Sequence, residues 1–392
     1  MRKVGGSTSI LGDPTGRTKK REYQSLEQYA SNSSLIEHSL NQIIHNYWTQ
    51  IVPALSISGK LGSVNVVNNS DWLTHKNVVD VSCEVLPHFK LSELLEKESA
   101  ESNIFYNLVG GHDQIGNITC GLNLIYRKLG RRAFGLTVPL LTTPDGQKLG
   151  KSVPNSECGM DTIWLMSEKL KPYNFYQKIL NLPDSIISDK LVRQLTFFGP
   201  EEIDQLLTNH KKHPNRRIVQ KTLARELTLL VHGVYALQAS ELATRIFFPM
   251  SSVNCPNDSL PVDKTSLEII QNELSSSERN YLLSCLKPSA QFLPVIYPKD
   301  FTDSLKRSGN DYSQLLESVL DLIMLTSNFK DRSEALQTCF MRGVVLNNVN
   351  LLKKGNKFEM SPENIQAAFS RFDQTTGLGI LRLGKLAFCI CV

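Results

Sequence analysis

Eight cysteines are scattered through the 392-residue chain with no Cys-x-x-Cys pair and no regular spacing, so neither a disulfide framework nor a metal knuckle is expected. Cys389-Ile390-Cys391 reads as small apolar residues rather than a metal site. Free thiols suit a reducing compartment. No apolar run approaches the roughly eighteen residues that span a bilayer, which argues against a membrane protein. No large charge excess is present either. Lys and Arg number 43 against 38 Asp and Glu, and the net +5 permits an anionic partner without demanding one. Repeats and low-complexity tracts are missing. So are a signal-peptide core and an Arg/Ser-rich presequence, and Met1-Arg2-Lys3-Val4 leads at once into Gly5-Gly6-Ser7-Thr8, as though the chain began inside a fold.

What is there is a globular composition, 41% hydrophobic and 21% charged, at a length that suits two or three domains. Residues 4–17 read as a strand end and a turn-rich loop, because Gly12-Asp13-Pro14-Thr15-Gly16 is dense in turn formers. Residues 22–50 place Leu35, Leu40, Ile43, Ile44 and Tyr47 at helical spacing. Residues 64–67 predict a short buried strand closed by Asn68-Asn69-Ser70-Asp71-Trp72, residues 91–102 a helix, and residues 105–109 a strand. Residues 115–129 predict a helix with Ile118, Leu122, Leu124 and Ile125 inward and Gly130 as its stop. Alternating strands and helices predict an α/β fold with a parallel sheet. From Pro172 to about residue 244 the pattern is helical, with basic clusters at Lys211-Lys212 and Arg216-Arg217, then Lys221 and Arg225. Residues 250–315, rich in Ser, Pro and Asn, read as a loosely packed connector with one or two helices. Asp331 then opens a helix that Gly343 ends, followed by a strand at Val344-Val345-Leu346 and a turn at Asn347-Asn348.

Two segments carry chemistry. Gly110-Gly111-His112-Asp113-Gln114-Ile115-Gly116-Asn117 sits where the 105–109 strand gives way to a helix. Glycines there let a ligand approach the backbone, and a helix start offers N–H groups to negative charge. Asp113 could hold a ribose hydroxyl or an ammonium, and Gln114 a carboxylate or phosphate. Further on, Gly146-Gln147-Lys148-Leu149-Gly150-Lys151-Ser152 sets two lysines on a glycine-loosened loop. They could swing over a polyphosphate and stabilise charge that appears in the transition state. Read alone, that loop fits a solvated surface turn better.

These segments, with "GGSTSILGDPTG" at 5–16, "NNSDW" at 68–72, "GLTVPLLT" at 135–142, Leu195-Thr196-Phe197-Phe198, "EEID" at 201–204 and "LVHG" at 230–233, resemble the tyrosyl-tRNA synthetases of bacterial and mitochondrial type. The resemblance runs from Gly5 to the C-terminus apart from the connector. It implies an incomplete Rossmann-like parallel-sheet catalytic domain (1–165), an α-helical anticodon-binding region (166–250), the connector (251–315) and a small C-terminal α+β S4-like RNA-binding module (316–392). Thr8 and Asp13 match contacts to the α-amino group of tyrosine. Gly111 and Asp113 match contacts to the ATP ribose, and Gln114 matches a contact to the substrate carboxylate and α-phosphate. Lys148, Lys151 and Ser152 match the mobile loop over the pyrophosphate. Arg17 and Arg21 fall either near the phosphates and acceptor end or on a solvated surface. Arg332, Arg342, Lys353 and Lys354, with Lys330 and Lys357, form a basic set suited to RNA phosphates or to a solvated face.

The implied reaction is ATP-dependent ligation of tyrosine to tRNA(Tyr) through a tyrosyl-adenylate. Mg2+ accompanies ATP, and no tightly bound cofactor or dedicated protein metal site is expected. The family pattern also implies a homodimer and residence in the mitochondrial matrix, or otherwise the cytoplasm. Two parts of the pattern do not occur in this sequence: a His-x-Gly-His strand, which belongs before Met1, and a Tyr-x-x-x-Gln-x-x-Asp helix, which belongs before Gly110. These expectations follow: a truncated chain, impaired tyrosine activation, and apolar surface exposed on one face of the sheet. The alternative is a non-catalytic RNA-binding or dimer-partner variant.

Overall fold

In the computed structural model the described residues are 2–11, 25–55, 62–84, 87, 108–142, 163–248, 275–287, 292–296, 321, 323–324, 331–347, 349–352, 378–383 and 386–391. The predicted helix at 91–102, the first residues of the 105–109 strand, Asp13, Arg17, Arg21, Lys148, Lys151, Ser152, Lys353 and Lys354 lie outside them. In chain order the elements are β1 (Arg2–Val4), α1 (Gly6–Leu11), α2 (Leu26–Asn46), β2 (Val66–Asn68), α3 (Ser70–Leu73), α4 (Val78–Glu84), β3 (Leu108–Gly111), α5 (Ile115–Leu129), β4 (Gly135–Val138), α6 (Pro172–Leu180), α7 (Asp189–Leu195), α8 (Pro200–Lys212), α9 (Ile218–His232), α10 (Val234–Phe247), α11 (Ser276–Cys285), β5 (Val295–Ile296), α12 (Arg332–Arg342), β6 (Val344–Leu346), β7 (Val349–Leu352), β8 (Leu378–Leu383) and β9 (Leu386–Cys391). The chain divides into two compact units, one of residues 1–45, 57–162 and 183–197, the other of 46–56, 163–182 and 198–392.

The first unit contains two parallel strand pairs, β1 with β2 and β3 with β4. Each pair is joined through helical chain, as parallel strands require. α5 forms because Ile118, Leu122 and Ile125 repeat at three- and four-residue spacing, which sets one apolar stripe toward the sheet. It ends at Gly130, whose φ of 63° is the left-handed cap that satisfies the last turn through an N–H bond to the Tyr126 carbonyl. Val109 and Leu136 lie side by side in the β3–β4 register, and both are 56% exposed, with Val138 47% exposed on the same face. This is the apolar exposure expected on one face of the sheet. The other face, at Gly110, meets Ile118 of α5.

Two local expectations change. Residues 6–11 form helix α1 instead of the predicted loop, because Asn68 and Asn69 accept its first N–H groups and thereby satisfy donors that a short helix otherwise leaves open. The predicted strand at 64–67 shifts to β2. Its register begins with Arg2 opposite Val66, so β1 gives Val64 and Asn65 no partner. Ser70–Leu73 is one helical turn within the predicted closing turn.

The second unit is built on the predicted helices. α6, α9 and α10 pack around Tyr173, Phe175, Ile179, Leu223, Val231 and Ile246, and Ala236, Ala239 and Ala243 let α10 approach closely. Proline stands at the first position of α6 and α8, where its missing N–H costs nothing. The described part of the 250–315 segment is not loose. Ser275 and Glu278 form a capping box that starts α11, and Leu282, Cys285, Leu286 and Leu293 are buried in one cluster with α10. β5 then joins the C-terminal sheet, ordered β5-β9-β8-β6-β7, parallel at β5–β9 and antiparallel elsewhere. α12 is capped by Asp331, whose carboxylate accepts the Glu334 N–H at 2.8 Å, and it stops at Gly343 as predicted. Asn347 turns the chain in the left-handed region at φ 48°. Its side-chain oxygen accepts the Ile380 N–H at 2.7 Å, and its own N–H donates back to the Ile380 carbonyl at 2.8 Å.

Candidate functional site

β3 delivers the Gly-Gly pair to the start of α5, where neighbouring side chains crowd both glycines. A Cβ on Gly110 would stand 3.2 Å from both Gln114 Cβ and Ile118 Cδ1, and one on Gly111 would stand 2.6 Å from Asp113 Oδ1 and 3.1 Å from Leu140 Cδ2. A single 3-10 turn, His112–Gln114, then leads into α5. Asp113 is exposed and Gln114 half-buried. Gln114 Oε1 accepts from Asn117 Nδ2 at 2.9 Å, which orients the amide so that its NH2 is left to donate to an anionic group. Gln114 occupies the N-cap of this fifteen-residue helix without a side-chain cap bond. The arrangement sets a carboxylate and an amide beside a helix N-terminus at the carboxyl end of a parallel strand, a place where phosphates and ribose hydroxyls are held.

The neighbouring strand β4 continues into residues 139–142, and α7 is tied to it there. Lys190 Nζ donates to Thr142 Oγ1 at 3.3 Å, and Gln194 Nε2 to the Pro139 carbonyl at 3.5 Å. The sequence shows Pro139 and Thr142 within the GLTVPLLT segment but not their tie to Lys190 and Gln194, since nothing local links a helix near 190 to a strand end near 140.

Thr8 sits on α1 beside the other strand pair. Its hydroxyl accepts from Asn69 Nδ2 at 2.8 Å, while Asn69 Oδ1 accepts the Ser7 N–H at 3.0 Å. Gly6 N–H bonds Asn68 Oδ1 at 3.2 Å, and Ser7 Oγ meets Ser70 Oγ at 3.3 Å. A Cβ on Gly6 would lie 2.3 Å from Ser70 Oγ, so the close approach of α1 to the β2 end requires glycine. Asn69, 1% exposed, fixes the exposed Thr8 hydroxyl with one lone pair and its proton still open to a ligand. The "NNSDW" motif was visible in the sequence, but this orienting role was not. Thr8 belongs to the β1–β2 pair, and Gly111, Asp113 and Gln114 to the β3–β4 pair. The two pairs are separate sheets among the described residues.

Of the residues expected to face RNA, Arg332 is exposed at the start of α12 and pairs with Asp321 at 2.7 Å. Arg342 closes the same helix. Lys211, Lys212 and Arg216 are exposed at the corner between α8 and α9. Arg217 adopts a left-handed φ of 51° there and donates through Nη2 to the Leu182 carbonyl at 2.7 Å. Among the described residues no group of three His, Cys, Asp or Glu could hold a metal ion, and no helix is long and apolar enough to cross a membrane.

Parallel strand pairs whose carboxyl ends feed helix N-termini, followed by a helical region, make an α/β architecture with a helical part beyond it. The match to the family "tRNA synthetases class I (W and Y)" over residues 2–109 and 107–249 agrees. The chain is 32% identical over 384 residues to the tyrosine–tRNA ligase of Mesoplasma florum, covering 90% of this chain and 82% of that relative. It is 33% identical over 278 residues to the mitochondrial tyrosine–tRNA ligase of Rattus norvegicus, covering 63% of this chain and 56% of the relative. This chain therefore belongs to the tyrosyl-tRNA synthetase family. It spans about half the length of the mitochondrial relatives it matches. A solved C-terminally truncated mitochondrial tyrosyl-tRNA synthetase from Aspergillus nidulans aligns with a TM-score of 0.47 at 21% identity, over 63% of this chain and 76% of that one.

Proposed function

We propose that the protein ligates tyrosine to tRNA(Tyr) at the expense of ATP, through a tyrosyl-adenylate. The supporting observation is the Gly110–Gly111 strand end with Asp113 and Gln114 at the head of α5, in a chain of this family. In this reading Thr8 and Asp13 bind the α-amino group of tyrosine, and Gln114 meets its carboxylate and the α-phosphate. Gly111 and Asp113 hold the ATP ribose. Lys148, Lys151 and Ser152 close over the pyrophosphate, with Mg2+ entering as part of the nucleotide substrate. The tyrosine carboxylate attacks the α-phosphorus, the bond to the bridging oxygen breaks, and pyrophosphate leaves with the electron pair. A hydroxyl of the tRNA terminal ribose then attacks the acyl carbon and releases AMP. No side-chain nucleophile is needed, so positioning and charge stabilisation carry the rate. The helical region and the S4-like module, through Arg332, Arg342, Lys353 and Lys354, bind the tRNA. The protein works as a homodimer in the mitochondrial matrix.

Tyrosine-dependent ATP–pyrophosphate exchange tests the reading. Alanine at both Lys148 and Lys151 is expected to lower exchange by about 10²-fold or more, the scale of losing donors to transition-state charge. Unchanged exchange in that double variant refutes the lysines' role. A second reading, an RNA-binding or dimer-partner protein, is favoured by the open apolar face at Val109, Leu136 and Val138. It predicts tRNA binding without any exchange.

A further inference from the structure

We propose that Arg382 is a positioning residue for RNA binding: it locks the C-terminal sheet onto the end of α10, so that α12 is held at a fixed place relative to the basic corner between α8 and α9. The inference rests on the RNA-binding part of the function proposed above. Alternate residues of β8 point to opposite faces, which puts Ile380 and Arg382 together on one of them. Ile380 is buried in the cluster formed by Tyr173, Ala243, Ile246 and Phe247. Arg382 Nη1 donates to the Phe247 carbonyl at 3.2 Å. Phe247 is the last residue of α10, and its carbonyl is one of those a helix cannot satisfy itself. A cation there also meets the negative end of the helix dipole. The guanidinium lies 5.9 Å from the centre of the Phe248 ring, the residue that caps α10. Burial pushes the Arg382 pKa below its ordinary value, the mark of a cation drawn out of water to make these contacts.

A second tie comes from β5, which follows the buried Leu293 and pairs in parallel with β9, Val295 opposite Cys389. Tyr173 N–H also donates to the Phe292 carbonyl at 3.2 Å, so the same stretch is fastened to α6. α12 follows the sheet because Gly343 alone separates it from β6. A module swinging on a tether would need none of these contacts. Fixed geometry instead lets the exposed Lys211, Lys212 and Arg216 and the exposed Arg332 engage one RNA at once, with the second contact made intramolecularly.

The test uses the full chain with a tRNA(Tyr) transcript, and measures affinity over a range of salt for the wild type, Arg382→Met and Arg382→Lys. Arg382→Met is expected to bind about ten-fold more weakly, with a shallower dependence of log affinity on log salt, because fewer phosphates are engaged together. Arg382→Lys, which keeps a donor for Phe247, is expected to recover most of both. If Arg382→Met does not fold, Phe248→Leu removes only the ring under the cation and is expected to lower the salt slope in the same direction. A folded Arg382→Met (or, in its place, Phe248→Leu) with wild-type affinity and slope overturns the inference alone. A wild-type chain that does not bind the transcript overturns the RNA reading, and this inference with it.

Discussion

Asn69 shows how much a single side chain can organise. It satisfies the Ser7 N–H and orients the Thr8 hydroxyl while almost fully buried. Asn69→Ala leaves that N–H without an acceptor, and the expected loss is about 1–3 kcal/mol in urea unfolding. In pyrophosphate exchange the same variant should raise the tyrosine KM with a smaller effect on kcat, because Thr8 loses its orientation rather than its hydroxyl. A wild-type KM would separate Thr8 from tyrosine binding. Residues of this kind divide what a sequence can show from what it cannot. Gly110 and Gly111 were legible because the strand end, the helix start and the polar residues that crowd them are neighbours in the chain. Asn69 acts on residues 61 and 62 positions away, and no local pattern announces a partner at that distance.

Elements were legible where their signals were local. α5 ends at Gly130, and α12 begins at Asp331 and ends at Gly343, each by a cap that the sequence carries at the right position. α1 was hidden because its donors are satisfied by remote asparagines. β8 was hidden because Ile380, Leu381 and Leu383 are all buried, so the strand lacks the alternation that marks a half-exposed one. α11 announced itself through Ser275 and Glu278, but serine-rich surroundings masked that box. The junction of α9 and α10 offers a test at this scale. Gly233 has φ 86° and ψ 174°, a region open to glycine, and a Cβ there would stand 3.2 Å from Asn46 Oδ1. Gly233→Ala is expected to cost about 1–3 kcal/mol of backbone strain. It should also disturb the bond from Asn46 Nδ2 to the Leu230 carbonyl, now 3.0 Å. Amide exchange at the α9 end would show both, and unchanged protection would remove Gly233 from this role.

At the scale of the whole molecule, acid should loosen the helical unit through His232. Its ring packs edge-on against Phe175 with centroids 4.9 Å apart. Burial lowers its pKa from 6.5 to about 4, against a smaller opposing pull from Glu168. The folded state therefore keeps the ring neutral where the unfolded chain takes up a proton. Stability is fully present above about pH 6.5 and falls as pH drops toward 4, by about 3 kcal/mol from this one group. His232→Leu should flatten that part of the profile in urea titrations at pH 7 and pH 4.5; an equally steep profile would assign the acid sensitivity elsewhere. The parallel strand pairing and the helical region were readable as family pattern, whereas the lending of β5 to the distant sheet was not. That loan has a price during synthesis. β5 leaves the ribosome long before β9, its only strand partner among the described residues, so the segment emerges with an open hydrogen-bonding edge and the apolar Leu293 beside it. Until the final strand arrives, the nascent protein is exposed to edge-to-edge association, and chaperone demand should peak in that interval.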